Sequence, residues 1–196
     1  GRIERVLGGG KQDEPAVRAA DAAAPIEALV PGYWVTTRSG RVFVGEARFR
    51  LDHRHGARVV RELCQVNVAQ WPSVLFSSQA MFDLANALFL DTETTGLGRG
   101  PGTFCFMVGT GRVVDDELIL RQYLAPDSGD EPLLLRLVEE QAALASGLVT
   151  FNGRSFDLPL LETRYILNGY ARSPLQLLGH LDLLIAARRL WRRSLP

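Results

Sequence analysis

The stretch Ala87-Leu88-Phe89-Leu90-Asp91-Thr92-Glu93-Thr94-Thr95-Gly96 decides how this chain is read. Uninterrupted apolar residues up to Leu90 predict a strand buried on both faces, because a strand with one wet face would alternate. The run ends at Asp91, and Gly96, Gly98, Gly100 and Gly102 make the turn that follows. A strand period of two sends Asp91 and Glu93 to the same side. Two carboxylates side by side repel and are costly to desolvate, so the pair makes chemical sense around a divalent cation, the alternative being a solvated acidic strand end.

Downstream, strands are expected over residues 103–109 and 117–124, joined through Asp115-Asp116, so that three neighbours form an antiparallel meander. A helix follows from Pro132, with Leu134, Leu137, Val138 and Leu144 on one face and Gly147 to end it. Residues 148–151 read as a short buried strand, Asn152-Gly153 as a turn, and 157–167 as a helix closed by Asn168-Gly169. Strand, helix, strand, helix implies parallel pairing. Residues 180–184 read as a strand edge or tight turn running into a last helix with Ala186, Ala187 and Trp191.

Upstream, residues 33–37 and 41–50 alternate around Arg38-Ser39-Gly40, the pattern of a β-hairpin. The resulting organisation is a flexible leader over 1–25, a small β-containing module over 26–80 and a main α/β domain over 81–196. Within the latter, Asp157 opens a helix directly after a buried strand. It is either a helix cap or a third carboxylate, because the carboxyl ends of neighbouring parallel strands share one crevice, where it can converge on Asp91 and Glu93.

The composition fits an ordinary soluble protein: 196 residues, 46% hydrophobic, with 22 basic and 22 acidic side chains. Collagen, coiled coils and disulfide-stapled toxins are excluded. No run approaches the roughly 18 apolar residues of a membrane helix; the richest, 181–187, is broken by Asp182. Cys64 and Cys105 lie far apart without a C-x-x-C partner, as in a reducing cytoplasm. Residues 81–196 carry 11 basic against 14 acidic groups. This argues against binding nucleic acid by bulk charge, unless some carboxylates hold cations that then meet phosphate.

Residues 88–97 and 148–161 resemble the first two motifs of the DEDD, or DnaQ-like, 3′–5′ exonucleases, which have a ribonuclease H-like fold: a mixed sheet with flanking helices. Residues 102–109, 148–165 and 180–193 are similar in more detail to the bacterial YprB-like ribonuclease H-like group. The resemblance implies that Asp91, Glu93 and Asp157 are catalytic metal ligands, and that Thr94, Thr95, Leu97 and Asn152 contact substrate. It further implies two cations, Mg²⁺ or Mn²⁺, that activate a water, hold the scissile phosphate and stabilise the leaving oxygen, acting on a single-stranded DNA or RNA 3′ end. The family's last motif, a helix carrying a fourth aspartate preceded by histidine or tyrosine, has no counterpart before Pro196. The expectation is therefore a C-terminally incomplete domain, weak or inactive by itself. A rival reading keeps the fold without catalysis, as a nucleic-acid-binding or scaffolding module serving a helicase.

Other polar residues have plainer readings. Asp182 is expected to cap the last helix, and His53 with His55 supplies too few ligands for a metal site. Arg188, Arg189, Arg192 and Arg193 form a solvated helix face.

Overall fold

A computed structural model describes residues 24–68, 71, 82–96 and 102–191. The leader expected over 1–25 thus lies outside the described residues as far as residue 23, as do Leu97, Arg192 and Arg193.

The antiparallel meander forms as expected, turning at Asp115-Asp116. Strand β5 (Ala87–Thr94) pairs antiparallel with β6 (Cys105–Val114), and β6 with β7 (Glu117–Leu124). Asp115, at φ 53°, makes the tight turn between the last two. Both β5 and β6 are longer than expected. The register Asp91 opposite Gly109, Thr92 opposite Val108 and Glu93 opposite Met107 carries the ladder past the acidic residues, with a bulge after Glu93. Cross-strand hydrogen bonding therefore sets the strand's end, beyond the point where the apolar run stops.

The other edge of β5 pairs parallel with β8 (Gly147–Thr150), and β8 pairs parallel with β9 (Gly179–Asp182). Upstream, β1 (Gly32–Thr37) and β2 (Gly40–Arg50) form the expected hairpin. Strand β2 also pairs with β7 from Phe43 opposite Leu124 to Arg50 opposite Glu117, so the hairpin and the strands beyond residue 80 share one seven-stranded sheet. Its order is β1-β2-β7-β6-β5-β8-β9, with a separate two-stranded β3–β4 ribbon (Arg54–His55 and Arg58–Val59). Short helices α1 (Ile26–Leu29) and α2 (Arg61–Cys64) flank these elements.

Helices α3 (Glu131–Ala142) and α4 (Asp157–Leu167) share one core with Val42, Val44, Leu88, Leu90, Val108 and Leu148. The alternate residues Ala87, Phe89, Val149 and Leu181 join a second core with Leu183 and Ile185 of α5 (Leu183–Leu190). The sheet is thus buried on both sides around β5 and β8, which accounts for their unbroken apolar runs. The result is the mixed α/β ribonuclease H-like architecture, a mixed sheet flanked by helices.

Two expectations about α3 are corrected. The helix ends at Ala142, leaving Leu144 beyond it and exposed, and Gly147 opens β8 instead of closing the helix. Gly147 is small because a Cβ there would lie 2.1 Å from Phe82 Cγ. Asp130 does not cap α3 with its side chain; its Oδ1 accepts the Arg41 N–H at 2.8 Å and ties the hairpin turn to the helix start. Gly40, at φ +131°, lies so close to Asp130 that a Cβ would meet its Oδ1 at 2.7 Å. Among the described residues no helix is long and apolar enough to cross a membrane.

Candidate active site

The chain places Asp91 and Glu93 on the sheet face opposite α3 and α4, as the period of two requires. Both carboxylates are exposed, and neither bonds to another side chain among the described residues. In lateral register, Gly45, Gln122, Gly109 and Asp91 form one row across four strands. With Gly111 next along β6, the glycines leave the floor of this face low. A trough of about 800 Å³ lies over it, lined by Asp91, Phe89, Gly109, Leu120, Gln122 and Phe151 among others.

Asp157 reaches the same strand from the other side. It occupies the first position of α4, four and eight residues before Leu161 and Tyr165, and that spacing puts it on the helix's buried stripe. It does not cap the helix; Phe156 holds the cap position and no side chain bonds there. Its side chain is 5% exposed, and Oδ1 accepts the Thr92 hydroxyl at 2.6 Å. Burial holds the Asp157 carboxyl above the usual carboxylate range; the Thr92 hydroxyl works against that, and the nearby charge of Asp91 adds to it. Thr92, which the sequence reading passed over, is therefore the link between the paired carboxylates and α4. A hydroxyl on a β-branched residue, flanked by two acids, is the signal it carried.

The chain does not gather the three acids into a ready cage: among the described residues no three His, Cys, Asp or Glu side chains are grouped to hold a metal ion. The available donors are carboxylate oxygens, the hard ligands that suit Mg²⁺ or Mn²⁺. Among the described residues no cationic side chain pairs with Asp91 or Glu93, and their carboxylate oxygens fit a divalent ion in their chemistry.

The residues expected to contact substrate are placed as follows. The Thr94 hydroxyl donates to the Gly96 carbonyl at 2.7 Å, and the Thr95 hydroxyl accepts the Phe104 N–H at 3.2 Å, so both also shape the turn after β5. Asn152, at φ +68°, sits in the turn after β8 and donates its N–H to Asp182 Oδ1 at 2.8 Å. Leu97 lies outside the described residues. Asp182 is 2% exposed and caps α5 through the Leu184 N–H, as expected. His180 is 3% exposed with Nε2 2.9 Å from Thr150 Oγ1, and its buried Nδ1 has no partner among the described residues. Burial pushes this imidazole below its usual range, against the pull of Asp182. His53 and His55 are exposed at the β3–β4 ribbon.

An α/β sheet with two free carboxylates at the end of a central strand, and a third acid on the helix after the parallel neighbour, defines the class. The RNase_H superfamily model matches residues 88–195, more than half of the chain, and the chain belongs to that superfamily. It is also 37% identical over 155 residues to the Bacillus subtilis (strain 168) protein described as "Uncharacterized protein YprB", a match that takes in 78% of this chain and 37% of the relative. The chain thus spans little more than a third of that relative's length.

Proposed function

We propose that the protein is a metal-dependent 3′–5′ exonuclease of the DEDD type, hydrolysing phosphodiester bonds at a single-stranded DNA or RNA end. Membership of the ribonuclease H superfamily supports nucleic-acid chemistry, and ribonuclease H-like nucleases generally use divalent metals. The observation that carries the finer reading is the pair Asp91 and Glu93, exposed on one face of β5 and without an ion-pair partner among the described residues, with Asp157 bonded to Thr92 between them.

Asp91, Glu93 and Asp157 would hold Mg²⁺ or Mn²⁺, which supplies charge stabilisation at the phosphate and lowers the proton affinity of an attacking water. The protein's own groups do the rest. The strand fixes Asp91 and Glu93 two residues apart on one side. Thr92 holds the Asp157 side chain against β5 and favours its ionised form. The trough beside Asp91 offers space for the terminal nucleotide, with Phe151 at its edge.

That no three metal-ligating side chains are grouped among the described residues favours one other reading, a binding or scaffolding module that keeps the fold, without catalysis, beside a helicase partner. Full-length protein and its Asp91→Asn variant, incubated with 5′-labelled DNA and RNA single strands in Mg²⁺ or Mn²⁺, separate the two. Stepwise shortening from the 3′ end, lost with chelator and falling to background in Asp91→Asn while the Tm stays within about 2 °C, is the expected outcome. Binding of either strand with no shortening would establish the module instead.

A further inference from the structure

Strand β9 directs two side chains, His180 and Asp182, at the loop that leads from β8 into α4. The Asp182 carboxylate accepts three backbone N–H groups: Leu184 at 3.0 Å and Asn152 at 2.8 Å on Oδ1, and Arg154 at 3.0 Å on Oδ2. His180 meets Thr150 Oγ1, which itself accepts the Gly153 N–H at 3.2 Å. The Gly153 carbonyl then accepts the N–H of Leu158 at 2.9 Å, one residue past Asp157. The chain between β8 and α4 is therefore held from below at residues 152, 153 and 154 and tied upward into the first turn of α4.

Capping α5 does not require this arrangement. A serine would satisfy the Leu184 N–H as well as an aspartate does, without burying a carboxylate that no cationic side chain among the described residues bonds to. The capping oxygen Oδ1 also takes the Asn152 N–H, and the second carboxylate oxygen reaches on to Arg154 in the turn of the neighbouring strand. That turn needs holding: Asn152 has a left-handed backbone, uncommon for a residue with a side chain. Gly153 has no room to shift toward the sheet either, since a Cβ would lie 2.4 Å from Thr150 Oγ1.

We propose that Asp182 is a positioning residue for the candidate active site: by gripping the N–H groups of Asn152 and Arg154 it fixes the start of α4, and so keeps Asp157 against Thr92. The assignment rests on the nuclease reading of Asp91, Glu93 and Asp157.

The test uses full-length protein with Asp182→Ser, which retains the cap but cannot span to Arg154, and Gly153→Ala, which displaces the same turn from the other side. Amide hydrogen exchange at Asn152 and Arg154 is followed alongside kcat and KM for end-labelled single strands. In both variants the Arg154 amide should exchange about 10-fold faster or more, and kcat should fall about 10- to 100-fold with KM within about twofold, as misplacement of a reacting group predicts. Faster exchange with wild-type kcat in Asp182→Ser would overturn the assignment and leave Asp182 a helix cap. Unchanged exchange would show that the grip on the turn is not made. Absence of cleavage by the wild-type protein would overturn the nuclease reading, and this assignment with it.

Discussion

Thr92→Val tests the link between the strand and α4 most directly. Valine keeps the β-branched shape that a strand favours and removes one hydroxyl, the donor 2.6 Å from Asp157 Oδ1. Asp157 is buried, so water does not readily replace that donor. A hydrogen bond to a charged group contributes about 1.5–3 kcal/mol, and one between neutral groups about 0.5–1.5 kcal/mol. For a chain of this size, about 1.5–3 kcal/mol corresponds to a Tm lower by about 3–12 °C where Asp157 is ionised, and to roughly half that where it is protonated. The sign follows from linkage. The Thr92 hydroxyl lowers the Asp157 carboxyl from the raised position that burial imposes, so its removal lets the carboxyl rise further. The folded state then holds a proton the unfolded state has lost over a wider range, and stability falls more steeply as pH increases. Calorimetric melts of wild type and variant, from about pH 3, below the ordinary aspartate range, to about pH 8, read this out. A Tm equal to wild type at neutral pH, or a loss of equal size at every pH, would refute an ionised Asp157 held by Thr92.

Asp157→Asn should raise the Tm at neutral pH, because the ionised carboxyl of a group with a raised folded-state value costs stability that increases as pH rises through its titration; the gain should vanish in acid, and a lower neutral Tm would contradict it. Gly147→Ala, whose Cβ would fall 2.1 Å from Phe82 Cγ, should destabilise by about 1–3 kcal/mol in denaturant unfolding, with partial recovery on adding Phe82→Leu. Arg164→Met leaves Glu131, 2% exposed and paired with the guanidinium at 2.6 Å through both Nε and Nη2, without its cationic partner and, among the described residues, with only the Asn168 amide at 2.9 Å on Oε2. That should cost about 3–5 kcal/mol, seen as an earlier urea midpoint; an unchanged midpoint would mean that the pair is not formed in solution.

Much of the fold was legible along the chain. Strand β7 and helix α4 occupy the expected residues 117–124 and 157–167. Their signals are local: for β7 the Asp115-Asp116 turn that precedes it, and for α4 a closing Asn168-Gly169 with Gly169 at φ +90°. The parallel pairing of β8 with β9 followed from connectivity, since a helix between two strands returns the chain in the same direction. The pairing of Asp91 with Glu93 on one face was equally readable, because a strand's period is independent of its surroundings.

What the sequence left open depends on groups far apart in the chain. The apolar run stops at Leu90, yet β5 continues to Thr94, because β6 supplies hydrogen-bonding partners that no pattern within β5 reveals. The β1–β2 hairpin reads as a module of its own until β2 meets β7 edge to edge. At the site, sequence spacing names three acids but not the side from which each approaches. Asp157 comes from the α4 side, to Thr92, because the stripe it shares with Leu161 and Tyr165 is buried under that helix. Asp182 is a helix cap by local pattern, and a hold on Asn152 and Arg154 only once β9 lies beside β8. Periodicity and turn chemistry are properties of a few consecutive residues, so the sequence by itself determined the elements and the acids they carry. Pairing and burial are agreements between distant segments, and only the tertiary structure decided which oxygen meets which hydrogen.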